Sequence, residues 1–429
     1  MPTAYRASIV HCLGDPGESG DSARYEYFVD GALVVDAGRV VAVGDATEVL
    51  GGRQDVEVVD HRGKLLMPGF IDCHVHFPQV DVIASYGDQL LEWLEDYAYP
   101  GEARYADADY ARSAAEFFLD ELLANGTTTA AVFATVHAHS AEALFEAAST
   151  RRMRLVAGKV LMDRNCPENL RDDAESAYAD SKRLIERWHG NGRLGYAITP
   201  RFALTSTEAQ LAAAGRLAGE HPDTWVHTHL AENDNEIAEV RKLYPWSPSY
   251  LDVYDHFGLL RERSLFAHCL HLGDADRRQL HEKRCSVAFC PTSNTFLGSG
   301  LFDLASMRDA QVRVGLATDV GGGTSLSMLR TMAEAYKVLQ LGGQSLPASR
   351  ALFLSTLGAA EALGLDRHIG NFLPGKEADF VVADPAATAI GARRDTQLET
   401  IEERLFALLT LGDDRHIVAT YVDGRRVSG

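Results

Sequence analysis

From about residue 65 onward, short runs of apolar and β-branched residues alternate with longer segments whose apolar positions recur at i, i+3 and i+4. The short runs cover 65–73, 127–134, 155–162, 194–199, 224–230, 264–269, 286–290 and 312–319. The segments at 107–125, 141–151, 173–189, 206–219, 274–283 and 326–341 have the spacing of amphipathic helices. Repeated strand–helix units predict an α/β fold, a (β/α)8 TIM-like barrel with its helices outside, an open doubly wound sheet being the alternative.

The pattern changes at both ends of the chain. Residues 7–60 contain short strand-like runs, including 25–35 and 38–43. The tail adds runs at 378–383 and 417–422 before Asp423-Gly424, a hairpin dipeptide. Neither end alone has enough strands for a core, so both are expected to join in one small β-sandwich. The expected division is therefore 1–66 and 373–429 for that unit, with 67–372 as the barrel.

Composition narrows the function classes. With 429 residues, 46% hydrophobic and 24% charged, the chain can hold a large barrel and a smaller unit. It contains no long uninterrupted apolar stretch and no signal-like N-terminus, so a cytoplasmic protein without a membrane partner is expected. Lys and Arg total 41 against 61 Asp and Glu, a net charge of −20. That sign argues against a nucleic-acid substrate and leaves a small neutral base open. The six cysteines lack C-x-x-C pairing and the density of a disulfide scaffold, and are expected to be free thiols.

Chemistry-bearing residues gather where the strand runs end. Pro68-Gly-Phe-Ile-Asp-Cys-His-Val-His76 places His74 and His76 on one face of a strand, two imidazoles for one metal. In His227-Thr-His-Leu-Ala-Glu232 the two histidines again share a face; one suits a ligand and the other a packed side chain. His268 closes the sixth run, and Asp319 closes the eighth before Val320-Gly-Gly-Gly323, where glycines allow close backbone approach. Each motif alone is equally a packed histidine or a helix cap. All of them fall at strand C-termini, where barrel active sites are built, and that conjunction points to a metal centre.

At this point the sequence resembles the single-metal branch of the amidohydrolase superfamily: H-x-H on strand one, His on strands five and six, Asp on strand eight. The resemblance implies that His74, His76, His229 and Asp319 hold one zinc per chain, with iron as the alternative metal, and that His268 touches the water or substrate. His227 then remains a packed histidine. Within the superfamily the chain is more specifically similar to guanine deaminases, through Met67-Pro-Gly-Phe-Ile-Asp-Cys-His-Val-His-Phe-Pro-Gln79, Leu90-Leu-Glu-Trp-Leu94, Asn125-Gly-Thr-Thr-Thr129, Thr199-Pro-Arg-Phe202, His229-Leu-Ala-Glu-Asn233, Cys290-Pro-Thr-Ser-Asn294 and Thr318-Asp-Val-Gly-Gly-Gly323. Cys73 departs from the usual Thr and touches no expected role.

This likeness implies hydrolysis of guanine to xanthine and ammonia by a metal-activated water, on a purine base bound by a homodimer. Asp319 is expected to take the water's proton, and Glu232 to protonate the ring nitrogen beside the attacked carbon. Gln79 and Arg201 are expected to read the ring amide and O6, Phe202 to pack the base, and the 90–100 segment to be a loop covering it. The alternative within the branch is a related purine, pyrimidine or triazine aminohydrolase acting on 8-oxoguanine, an adenosine derivative or cytosine. A non-catalytic barrel scaffold is disfavoured by the intact ligand set. The cytidine-deaminase zinc site is excluded because its H-x-E and P-C-x-x-C elements are missing.

Overall fold

The structure, a computed structural model, describes residues 2–53, 55–87 and 89–428. Eight principal strands form the barrel sheet in sequence order: Phe70–His76, Thr127–Phe133, Arg154–Gly158, Leu194–Pro200, Trp225–Leu230, Ser264–His268, Ser286–Phe289 and Arg313–Leu316. A short strand, Val160–Leu161, continues the third and pairs in parallel with the fourth. Successive later strands pair in parallel, with Thr228 opposite Phe266 and Val287 opposite Val314. The first and last strands meet at the site end, where Asp319 N–H donates to the His74 carbonyl and His76 N–H to the Val320 carbonyl, both at 2.9 Å.

The predicted helices form because their apolar stripes have a sheet to cover. Ala174–Trp188, for example, buries Ala177, Ser181, Leu184, Ile185 and Trp188, and Asp173 opens it with a capping box. All seven residues of the first barrel strand are buried, consistent with a parallel sheet covered on both faces.

One apolar run divides in the structure. Residues 65–68 belong to the strand Glu57–Pro68, which pairs antiparallel with Phe380–Ala383 and parallel with Thr3–Cys12. The barrel begins only at Phe70, and hydrophobicity alone cannot show this change of sheet because the residues on both sides of it, 65–68 and 70–73, are buried. Gly69 makes the change feasible, since a Cβ there would collide with the Thr128 side chain.

Both chain ends meet in one seven-stranded sheet, ordered Arg425–Ser428, Ile417–Val422, Phe380–Ala383, Glu57–Pro68, Thr3–Cys12, Tyr25–Asp36 and Arg39–Asp45. Tyr5, Phe380 and Tyr421 form its aromatic centre, with Ile9, Leu33 and Val382 around them. The chain divides into two compact units: Met1–Asp72 with Asp120–Thr129 and Leu326–Gly429, and Cys73–Leu119 with Ala130–Ser325. Among the described residues no helix is long and apolar enough to cross a membrane. All six cysteines are buried, and no disulfide joins them.

Candidate active site

His74 and His76, two apart on the first barrel strand, project from the same face, as strand alternation requires. With His229 from the fifth strand and Asp319 beyond the eighth, they bring four buried ligand atoms within 4.8 Å of one another. Asp319 Oδ1 lies 3.2 Å from His74 Nε2 and 3.5 Å from His76 Nε2. His76 Nε2 and His229 Nε2 are 3.1 Å apart.

The donor chemistry fits a divalent metal. His229 Nδ1 must donate to the Arg201 carbonyl, 2.7 Å away, which leaves Nε2 as the lone-pair nitrogen. Burial, reinforced by neighbouring imidazoles, holds His76 and His229 well below the ordinary histidine pKa, so both are neutral. Burial also lowers His74. Burial opposes the Asp319 charge, but His74 and His268 outweigh it and keep the carboxyl below its usual range. Three neutral imidazoles and an ionised carboxylate are a familiar zinc donor set.

The site carries backbone strain. Ala231, His268 and Asp319 adopt left-handed φ of 50°, 70° and 49°, a conformation that costs non-glycine residues about 1–3 kcal/mol each. Beyond Asp319, a Cβ on Gly321 would come within 2.9 Å of Gln79 Cβ and its carbonyl, so the glycine run does permit close approach.

Glu232 and His268 form the second part of the site. His268 Nε2 lies 3.3 Å from Glu232 Oε2 and 3.6 Å from Asp319 Oδ2, while its Nδ1 is 2.8 Å from Asn294 Oδ1. Burial is the main force raising the Glu232 pKa to about 7; Asp319 adds to the rise and His268 opposes it. Burial would lower His268, but Glu232 and Asp319 raise it overall. Glu232 is held from behind: Glu236 Oε2 accepts the backbone N–H of Glu232 (2.9 Å) and of Asn233 (3.2 Å), in the capping box that opens the helix Asp234–Leu243.

Arg201 and Gln79 line the same cleft, which encloses about 370 Å³ including its mouth. Phe202, Trp93, Leu90 and Leu297 supply its apolar wall. Arg201 Nη1 donates to both carboxylate oxygens of Glu102, at 2.8 and 2.7 Å, and Gln79 Nε2 donates to Glu102 Oε1 at 2.8 Å. Gln79 Oε1 accepts from Gly321 N–H at 3.1 Å. Burial works against the Arg201 charge, and Glu102 more than restores it.

The 90–100 segment covers the cleft, but as helix rather than loop. Leu90–Trp93 and Tyr99–Ala103 are α-helical, joined by a π-helical turn over Leu94–Ala98. Pro100 has no N–H to continue a regular ladder, and Tyr99 N–H reaches Leu94 O instead. Trp93 faces the cleft and is also buried, with Nε1 donating to the Ser85 carbonyl at 3.2 Å.

The amidohydrolase family model matches residues 65–427 of the chain, spanning every ligand and cleft residue described above. The chain belongs to the amidohydrolase family. It is 53% identical over 420 residues to the guanine deaminase of Escherichia coli (strain K12), covering 98% of this chain and 95% of that protein. The solved E. coli guanine deaminase superposes with a TM-score of 0.97 at 52% identity over 99% of both chains. A guanine deaminase from C. acetobutylicum, solved with guanine in its active site, gives 0.90 at 27% identity over 100% of both chains.

Within this amidohydrolase, the structure brings together every residue singled out from the sequence: His74, His76, Gln79, Arg201, Phe202, His229, Glu232, His268 and Asp319. Three others were not given a role. Asn294 and Glu236 sit in Cys290-Pro-Thr-Ser-Asn294 and Asn233-x-x-Glu236, so local motifs could have signalled them. Glu102 could not have been found this way, because it lies on a short helix 99 residues from Arg201. His227, read as packed, places Nε2 2.8 Å from His74 Nδ1 and so fixes the orientation of a candidate ligand.

Proposed function

We propose that the chain hydrolyses guanine to xanthine and ammonia at a single zinc held by His74, His76, His229 and Asp319. The observation that carries this is a cleft in which one metal-type cluster borders a buried Arg201–Glu102–Gln79 unit. The near full-length likeness to proteins named guanine deaminase supports the choice of substrate.

Held by His74, His76, His229 and Asp319, a zinc ion would supply the Lewis acidity that makes water nucleophilic near neutral pH. Asp319 offers Oδ1 to the imidazoles and Oδ2 toward His268, and in this reading it takes a proton from the attacking water. Glu232, protonated below about pH 7, delivers its proton to the ring nitrogen next to the attacked carbon, regains one from the new carbon-bound hydroxyl and passes it to the departing ammonia; the water's proton held by Asp319 then returns to Glu232 and closes the cycle. His268, locked by Asn294, steers that exchange. One amide hydrogen of Gln79 goes to Glu102, and in this reading the second, with the guanidinium donors of Arg201 not given to Glu102, donates to O6, the acceptor of the ring amide. Phe202 packs against the base.

A side-by-side assay of guanine, adenine, adenosine, cytosine and a triazine, with ammonia detection, tests the substrate. Guanine is expected to be fastest. A faster triazine or adenosine would overturn the guanine assignment and leave the metal site standing.

A further inference from the structure

Cys290 has no part in the proposed chemistry, yet its sulfur reaches the active centre. It follows the seventh barrel strand, is fully buried, and directly precedes the helix Pro291–Phe296, whose Asn294 holds His268. Its Sγ, a ring nitrogen of His268 and a carboxylate oxygen of Asp319 all lie within 4.8 Å of one another. His268 Nδ1 is committed to Asn294, and the nitrogen 3.6 Å from Asp319 Oδ2 is Nε2, which is buried and makes no hydrogen bond. Asp319 presents a different oxygen to each side: Oδ1 toward His74 and His76, Oδ2 toward His268.

We propose that His268, Cys290 and Asp319 form a second, weaker site for a soft divalent cation, zinc or cadmium, whose occupancy switches the enzyme off. Imidazole nitrogen, thiolate sulfur and carboxylate oxygen are a complete soft-to-borderline donor set. Metal–ligand bonds of about 2.0–2.3 Å put ligand atoms within roughly 4 Å of each other, so only a small inward movement is needed. On binding, the cation takes a sulfur lone pair and the thiol proton leaves to solvent; nothing is oxidised or reduced. The site is the weaker one because it shares Asp319 with a cation already in place. It inhibits because it occupies His268 Nε2, the atom facing Glu232.

The proposal rests on the four-residue metal assignment and not on the identity of the substrate. Desalted enzyme carrying one metal per chain is titrated with cadmium, following thiolate-to-metal absorption in the ultraviolet, metal bound per chain, and deamination rate. A second equivalent is expected to bind, with a thiolate band growing as activity falls. Cys290→Ser should lack the band and need at least about tenfold more cadmium for half-inhibition, since even indirect support of a metal ligand is worth that much. Cys269→Ser and Cys285→Ser, which remove other buried thiols, should behave like the parent. Absence of a second equivalent, or a band and inhibition that persist in Cys290→Ser, would overturn the proposal. Should Cys290→Ser not fold, cadmium-edge X-ray absorption of the parent enzyme decides: one sulfur ligand supports the site and none overturns it.

Discussion

Glu102 receives Arg201 Nη1 on both of its carboxylate oxygens, at 2.8 and 2.7 Å, and both side chains are almost wholly shielded from water. A buried guanidinium without that partner would be an uncompensated charge in low dielectric. Glu102→Gln is therefore expected to lower kcat/KM for guanine by at least about 100-fold and to destabilise the fold by about 3–5 kcal/mol. Thermal unfolding and steady-state kinetics check this, with metal content unchanged. Normal kinetics would show that Arg201 does not depend on Glu102.

Glu232→Gln preserves side-chain size while removing proton transfer. The expected loss in kcat is about 10²–10⁴, the usual range for general acid–base catalysis, with the metal retained. Metal loss accompanying inactivity would instead make Glu232 structural.

The pH profile follows from the direction of the Glu232 shift. A carboxyl raised to about 7 carries its proton below that pH and loses it above, so kcat should decline on the alkaline side from near pH 7. In Glu232→Gln the residual rate should lack this decline. An alkaline limb that survives in the variant would assign it to another group.

Arg201→Ala should impair guanine turnover while metal content stays at one per chain. Adenine, with an amine where guanine has O6, should be a poor substrate even for the parent enzyme. Each buried donor left unpaired costs about 1–3 kcal/mol, so two mismatches correspond to at least about 30-fold in kcat/KM. Comparable rates for adenine and guanine would contradict this mode of recognition.

Gly69→Ala tests the junction between the two sheets. Its new methyl group meets the Thr128 side chain, and destabilisation of about 1–3 kcal/mol is expected, as for other overpacked sites. Chemical denaturation measures it. Adding Thr128→Ala should recover much of the loss, and no recovery would place the strain elsewhere.

The legible parts of this protein are those encoded by local period and position. His74 and His76 alternate on a strand, and His229, His268 and Asp319 close later strand runs, so barrel geometry brings them to one mouth. The change of sheet at Gly69 is hidden in the sequence because the buried run Leu65–Pro68 leads straight into the buried strand Phe70–His76. The 90–100 segment, a loop by expectation from its sequence, is helical because Leu90, Leu94 and Ala98 carry helical spacing; Pro100 distorts the turn without ending the helix. Glu102 was illegible for a different reason. Its meaning comes from Arg201 and Gln79, which only the folded chain brings to it.

The proposed hydrolysis of guanine requires one metal, held by His74, His76, His229 and Asp319. Its most direct test strips the enzyme with a chelator, restores zinc in sub-stoichiometric steps, and measures xanthine formation after each. The rate should rise linearly from near zero and break at one zinc per chain, with no such rise in Asp319→Ala. Full activity in the stripped enzyme, or a rise that continues linearly to two zinc ions per chain, would rule out a single-metal centre.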